Sequence, residues 1–468
     1  LAAGLQLDFT KGSIPRHLVK FALPMLASNL LQIMQTVIDT IWVGRFVGTH
    51  ALGTVSTSFP LIFALLSLVI GITIATSVLV AQFRGAGNEP MVRRTVANSL
   101  MLLTVGGFVM AAVGVLFRYP LLRMISTPPD MLEGAASYLG IFMGGLPVVF
   151  LYYAVEAILR GLGNSRTPLQ FMAVATFTNI ILDPLLIAGI GPFPKMGVAG
   201  AALATVLAQC LTSGLLVWWL LKHTDLVQRA RSFWHFDREI VQMLFRIGLP
   251  AGLQMVLISF SMVFVTAMIN VYGSVVVAAF GAASKFDQIA LLPAMSIAGA
   301  VGALVAQNLG ARNYERVGHV VRWSAGMSAG ITAVVALVAI FKPTLLLLLF
   351  TTDPEVLVAG SRYLLIVGVG YVPTAVMLAL GGVMQGAGDT APSLVITVIT
   401  QWLLKVPLCW YLSARFGPPG IWFGIAASGV AGLLLNWTYY LTGRWRRSIS
   451  AAAGPVPEPA SEPEPEPT

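Results

Sequence analysis

Asn29, Gln32, Gln35, Thr36 and Asp39 recur at three- and four-residue steps in an otherwise apolar stretch. On a helix they form one polar stripe that ends in a carboxylate. Thr176, Asn179 and Asp183 share one face of a second apolar stretch, with Pro184 directly after them, and Thr205 lies in a third, shortly after Gly197 and Gly200. Two carboxylates, an amide and a hydroxyl make a set of hard oxygens. Such a set suits Na+ at Asp39, Asn179, Asp183 and Thr205, or a proton on one of the acids, and the residue types do not choose between them. Pro24, upstream of Asp39, removes a helical hydrogen bond and is a candidate hinge. The plainer alternatives are that Asp39 pairs with Arg45 at an interface and that Asp183 is a helix-end acid.

The remaining charges within apolar stretches are few. Glu156 stands one turn before Arg160, the spacing of a helical ion pair. Lys285 and Asp287 flank Phe286 and cannot face each other on one helix; either is a candidate for lining a cavity. Lys405 follows Thr397 and Gln401 at four-residue steps, so it either lines a cavity or snorkels to the interface.

These side chains need elements to hold them, and composition fixes the kind. Apolar residues make up 57% of the 468 and charged residues only 10%, with a mean hydropathy of +0.84. A water-soluble protein carries about 25% charged residues. A spanning helix takes roughly 20 apolar residues, and a charge at its centre costs ~2.5–3.5 kcal/mol. The apolar runs predict an all-α membrane protein with twelve helices, over 16–45, 52–82, 93–117, 131–159, 167–190, 197–221, 241–271, 277–307, 317–341, 357–385, 392–414 and 421–443. The net charge of +9 does not point to nucleic acid, because the basic residues sit in short loops between spans. With the N-terminus inside, nineteen Lys and Arg fall on inner segments and seven on outer ones, which predicts both termini on the cytoplasmic side of the membrane. Cys210 and Cys409 lie in apolar spans and are expected to be buried thiols.

The chain repeats itself at one spacing. Val80-Ala81-Gln82 and Gly85 match Val305-Ala306-Gln307 and Gly310; Gly161 and Gly163 match Gly386 and Gly388; Tyr138 matches Tyr363, all at one constant offset. Leu23-Pro24 matches Leu249-Pro250, and Pro147 matches Pro373, at an offset greater by one. Six helices per repeat is an even number, so the halves are parallel: two six-helix bundles related by an axis along the membrane normal. The expected organisation is a cytoplasmic segment 1–15, an N-lobe 16–222, a linker 223–240, a C-lobe 241–444 and a disordered Pro/Glu tail 445–468. The acids break the repeat. At the offset of the Val-Ala-Gln match, Asp39 becomes Phe264, Asn179 becomes Leu404 and Asp183 becomes Leu408. The second half offers Gln254, Ser261, Met262, Asn270 and Gln401 instead, a mixed lining with Gln32, Gln35, Thr36, Lys285 and Asp287 for varied substrates.

At these residues the chain resembles the multidrug and toxic compound extrusion (MATE) family. The resemblance rests on Pro24 with Val37-Ile38-Asp39-Thr40-Ile41-Trp42-Val43-Gly44, on Arg160-Gly161-Leu162-Gly163-Asn164 to Pro168, on Asn179-Ile180-Ile181-Leu182-Asp183-Pro184, on Gly200-Ala201-Ala202-Leu203-Ala204-Thr205 and on Gln385-Gly386-Ala387-Gly388-Asp389-Thr390. It implies a twelve-helix antiporter exporting organic, often cationic, compounds against H+ or Na+, with Asp39, Asn179, Asp183, Thr205 and the Ala201 carbonyl as the cation site. No acid follows Gly248-Leu249-Pro250 at Ile258 and Ser259, which favours the DinF-like prokaryotic branch. The resemblance implies no cofactor beyond the coupling ion. The expected partners are small organic molecules and lipid, and a monomer is the expected state. The alternative is a lipid-linked oligosaccharide flippase of a related branch, which calls for several cavity arginines where only Lys285 and Lys405 are candidates. An enzyme is not expected: the five histidines make no HExxH pair, and no Gly-x-Ser-x-Gly elbow occurs.

Overall fold

The computed structural model describes residues 7–125, 127–226 and 236–446, and the side chains of all of these but 49–61 and 64. Residues 1–6, half of the linker (227–235, with Arg229 and Arg231) and the tail from Arg447 lie outside the described residues. The first half contains α1 (Ile14–Phe46), α2 (Thr49–Gly85), α3 (Glu89–Leu116), α4 (Arg118–Met124), α5 (Pro129–Gly144), α6 (Leu146–Gly161), α7 (Arg166–Ala188) and α8 (Val198–His223). The second contains α9 (Arg238–Asn270), α10 (Ser274–Gly310), α11 (Tyr314–Phe341), α12 (Pro343–Leu347), α13 (Pro354–Val369), α14 (Tyr371–Ala387), α15 (Thr390–Thr397), a π-helical segment (Val398–Lys405), α16 (Val406–Phe416) and α17 (Pro418–Leu441). The repeat extends to the ends of elements: α10 and α11 begin and end at the offset that relates Gln82 to Gln307, counted from the bounds of α2 and α3. Their caps repeat too. Asn88 accepts a hydrogen bond from the Met91 N–H, and Asn313 accepts one from the Arg316 N–H. Asn88→Ala or Asn313→Ala should each cost about 1 kcal/mol, read as a lower melting temperature of the purified protein; an unchanged melting curve would show that the cap carries nothing.

Among the described residues, ten helices are long and apolar enough to span a membrane, and two bent pairs complete the expected twelve. The bent pairs correct the expectation of continuous helices over 131–159 and 357–385. α5 meets α6 at 47° and α13 meets α14 at 48°, each at a glycine, Gly145 or Gly370. Pro147 and Pro373 follow, and neither can donate to the carbonyl four residues back, so the helix restarts in a new direction. The span expected at 392–414 is also irregular, because Val398–Lys405 winds as a π helix whose last turn is closed by the Val406 N–H on the Gln401 carbonyl. Cys409 is buried as expected, but Cys210 is exposed on α8. An apolar span in lipid need not bury every apolar face in protein, so composition alone could not place that thiol.

Two helices pass between the halves. On α1, Ile14, Leu18, Phe21, Ala22 and Met25 pack into a core with Ile297, Val301, Leu304 and Val320 of the second half. Farther along the same helix, Val43 packs with Ile187 and Ala201 of the first half. α9 does the converse: Ile240, Leu244 and Ile247 join the first-half core, whereas Val265 and Ile269 join the second. The internal prolines Pro24 and Pro250 stand near the far ends of these first packed stretches. Neither α1 nor α9 therefore packs wholly within one lobe.

The halves close on each other at the ends of α2 and α10. The Gln82 side-chain amide donates to the Gly386 carbonyl at 2.9 Å, and Gln307 donates to the Gly161 carbonyl at 3.2 Å. A Cβ on Gly85 would stand 2.0 Å from the Gln307 carbonyl oxygen, and one on Gly310 would stand 1.9 Å from that of Gln82. The residues that repeat most visibly in sequence thus meet one another reciprocally across the pseudo-two-fold axis. The N-terminal segment lies over this seam. Phe9 is fully buried, its N–H donates to Gln307 Oε1, and its carbonyl accepts from Asn308 and Arg316 of the second half, while the Leu7 N–H donates to the Gly163 carbonyl of the first.

Candidate functional site

The polar stripe of α1 engages a different partner at almost every step. Asn29 Nδ2 donates to Ser296 Oγ of α10 at 3.3 Å, the one member of the stripe to reach across the lobes by a described bond. Gln32 reaches the Tyr153 hydroxyl on α6. Gln35 Oε1 accepts from Thr176 Oγ1 of α7 at 3.4 Å, while Thr36 bonds back to the Gln32 carbonyl. At the end of the stripe the Asp39 carboxyl comes within hydrogen-bonding reach of that of Asp183. The later steps of the stripe meet Thr176 and Asp183 in sequence because α7 runs beside α1.

Around the acid pair the sequence-selected residues converge. Asn179 and Asp183 are fully buried on α7, one turn apart, with Asn179 Nδ2 donating to Asp183 Oδ1 and to Thr205 Oγ1 of α8, both at 3.4 Å. Thr205 Oγ1 donates in turn to the Ala201 carbonyl at 3.1 Å. Three buried oxygens in this cluster have no hydrogen-bond partner: Asp39 Oδ1, Asp183 Oδ2 and Asn179 Oδ1. Unpaired buried oxygens are costly. A proton on either acid, or a small hard cation between them, would satisfy them, so the residues present fit either ion. No ion pair joins Asp39 to Arg45 among the described residues. Tyr138 of α5 lies within electrostatic reach of both acids and packs on the Val43, Ile187 and Ala201 cluster. In the sequence Tyr138 stands out only as the repeat partner of Tyr363, and that match is the available signal. Glu156 and Arg160 form the expected i,i+4 ion pair at 2.5 Å.

The residues proposed to line a substrate cavity do not gather in one place. Gln32, Thr36, Met262, Asn270 and Lys285 are exposed, and Gln35 and Gln254 are half-buried. Ser261 is fully buried on the face of α9 that meets the π segment, where its Oγ lies 3.4 Å from both oxygens of Gln401. Asp287 is partly buried on α10, and its two carboxylate oxygens accept hydrogen bonds from Tyr363 of α13 and Tyr371 of α14, on either side of the 48° bend. It ties that bend to α10 from inside the lobe. Sequence spacing could not show this, because both partners belong to later helices far along the chain. Lys405 does not snorkel: it is only 9% exposed, and its ammonium donates to Gln401 Oε1 at 3.1 Å.

The comparisons with known proteins agree with this architecture. The MatE family model matches twice, over residues 24–185 and 250–411, so the two matches stand at the offset that relates Pro24 to Pro250. The probable multidrug resistance protein YoeA of Bacillus subtilis is 33% identical over 92% of this chain and 94% of its own length. YpnP of the same organism, also named a probable multidrug resistance protein, is 32% identical over 94% of this chain and 97% of its own. Among solved structures, a MOP superfamily transporter from Pyrococcus furiosus superposes with a TM-score of 0.85 at 24% identity, covering 94% of this chain and 98% of that one.

Proposed function

Because the chain belongs to the MatE family, we propose that it is a cation-coupled antiporter that exports organic, often cationic, compounds by alternating access. The observation that carries this reading is the acid pair, Asp39 with Asp183, whose buried oxygens lack partners on a helix shared by both lobes.

The geometry supplies a mechanism. The first turns of α1 are packed in the second half as far as Met25, its later turns are held to the first half at Asp39, and Pro24 stands near the end of the stretch packed in the second half. Two facing carboxylates repel when both are ionised. A proton or Na+ between them removes the repulsion and draws the outer part of α1 onto α7 and α8. Loss of the ion loosens it, and the proline joint lets the outer part bend without tearing the inner part from its core. One charge moving down a 100 mV potential supplies ~2.3 kcal/mol, enough to bias such a bend about fiftyfold. The basic residues Lys11, Arg84, Arg160, Arg312 and Arg316 cluster at the seam where the lobes meet. With the positive side inward, that end faces the cytoplasm and both termini lie there.

The test is export of an organic cation from proteoliposomes with Na+ and pH gradients imposed separately. One of the two gradients should drive export well above the gradient-free rate. Equal export with neither gradient would remove the coupling, and no export of any organic cation under either would remove the drug-exporter reading.

A further inference from the structure

The helices that build the acid pair have counterparts. α1, α7 and α8 of the first half correspond to α9, the α15–π–α16 span and α17 of the second. In the first half this trio encloses two carboxylates. In the second it encloses a lysine. Lys405 closes the π segment, and Gln401 Oε1 accepts both from its ammonium, at 3.1 Å, and from Ser261 Oγ.

An ammonium carries three N–H donors, and the described bonds use one. No carboxylate forms an ion pair with Lys405 among the described residues. The acid of the same lobe, Asp287, has both oxygens taken by Tyr363 and Tyr371. None of the described hydrogen bonds uses the Gln401 NH2 group either. A buried cation with no counter-charge is expensive, and structures that keep one use it. The π winding that holds it inward is an irregularity found frequently at functional sites.

We infer that Lys405, with the Gln401 amide and the Ser261 hydroxyl, is an anion-recognition subsite that takes a carboxylate or phosphate group of the transported compound. The inference rests on the transporter reading and extends its substrate class to molecules carrying an anionic group, zwitterions included. One lysine supplies charge for one such group, and its two spare N–H donors with the Gln401 NH2 suit an oxyanion. The two lobes then share a construction and divide the charges. The first-half trio holds the coupling cation, and its second-half counterpart holds the anionic end of the cargo.

The test is equilibrium dialysis of the full-length protein in nanodiscs against fluorescein, a carboxylate, and 4-methylumbelliferyl phosphate, with ethidium export from proteoliposomes measured in parallel. At least one anion should bind saturably. Lys405→Met should weaken that binding at least about tenfold, Lys405→Arg should retain it to within about threefold, and Gln401→Leu should fall between. The loss in Lys405→Met should fall on the anion far more than on ethidium. Which anion binds identifies the group recognised. Absence of saturable binding of both anions overturns the subsite, as does an equal loss of anion binding and ethidium export in Lys405→Met, which would mark a purely structural lysine. If wild-type protein exports no ethidium yet binds an anion in a Lys405-dependent way, the drug-export reading fails and the subsite stands.

Discussion

Asp39→Asn is expected to abolish gradient-driven export while leaving the protein folded, with flux down by about two orders of magnitude. An amide neither takes up a proton nor attracts a cation as a carboxylate does, so the bias on α1 disappears whatever the gradient. The fold should tolerate the change. Asp39 contributes a buried oxygen that nothing satisfies, beside a second carboxylate. Removing one of two facing charges relieves repulsion and a desolvation cost of several kcal/mol. The melting temperature should therefore hold or rise as transport falls. Asp183→Asn should behave the same way, and the double variant should be little worse than either single one, because both acids act on one ion. The measurement is paired proteoliposome flux and thermal unfolding. Wild-type flux in Asp39→Asn would end the coupling mechanism, and a collapse of folding with flux would make the acid structural instead.

The second large effect is expected at the seam. In a Gln82→Ala, Gln307→Ala double variant, the Gly386 and Gly161 carbonyls lose the donors that now cross between lobes. Each loss costs about 1–3 kcal/mol in a buried setting. The pair together should shift the balance between closed and open seam by roughly 2–6 kcal/mol, at least about thirtyfold in population. Gly310→Leu should act more bluntly, because even its Cβ would lie 1.9 Å from the Gln82 carbonyl oxygen, a backbone atom that cannot swing aside. Spin labels at Pro90 and Glu315, equivalent exposed positions at the starts of α3 and α11, would report the separation. Distances should lengthen and broaden in both variants. A distribution identical to wild type in the double variant would show that the glutamine bonds do not hold the lobes together.

Much of the candidate site is legible before any coordinates. Asn29, Gln32, Gln35 and Asp39 form a stripe because helical periodicity is local, and a polar stripe in an apolar span has to find partners in protein or water. Asp183 and Asn179 are legible for the same reason, and their convergence with Thr205 follows from short connections between neighbouring helices. Pro24 announces its weakened turn directly. The partners at long range are not legible in this way. Nothing near Asp287 points to Tyr363 and Tyr371, and nothing near Lys405 says that a π turn will hold it inside rather than let it reach the interface.

The sequence by itself determined that the chain is helical, spans a membrane about twelve times, repeats its first half in its second and places its paired acids in one half only. Hydropathy, periodicity and self-comparison are properties of the chain along its length, so folding adds nothing to them. The tertiary structure decided which faces meet. It sent the first turns of α1 into the opposite half, bent two spans at Gly145 and Gly370, and set Gln82 and Gln307 reciprocally across the seam. It also gave the acid trio a counterpart built around Lys405. In lipid an apolar face gains little by choosing protein over hydrocarbon, so hydrophobicity cannot specify helix partners. Close packing of small residues and a few buried hydrogen bonds make that choice, and both depend on residues brought together from opposite halves of the chain.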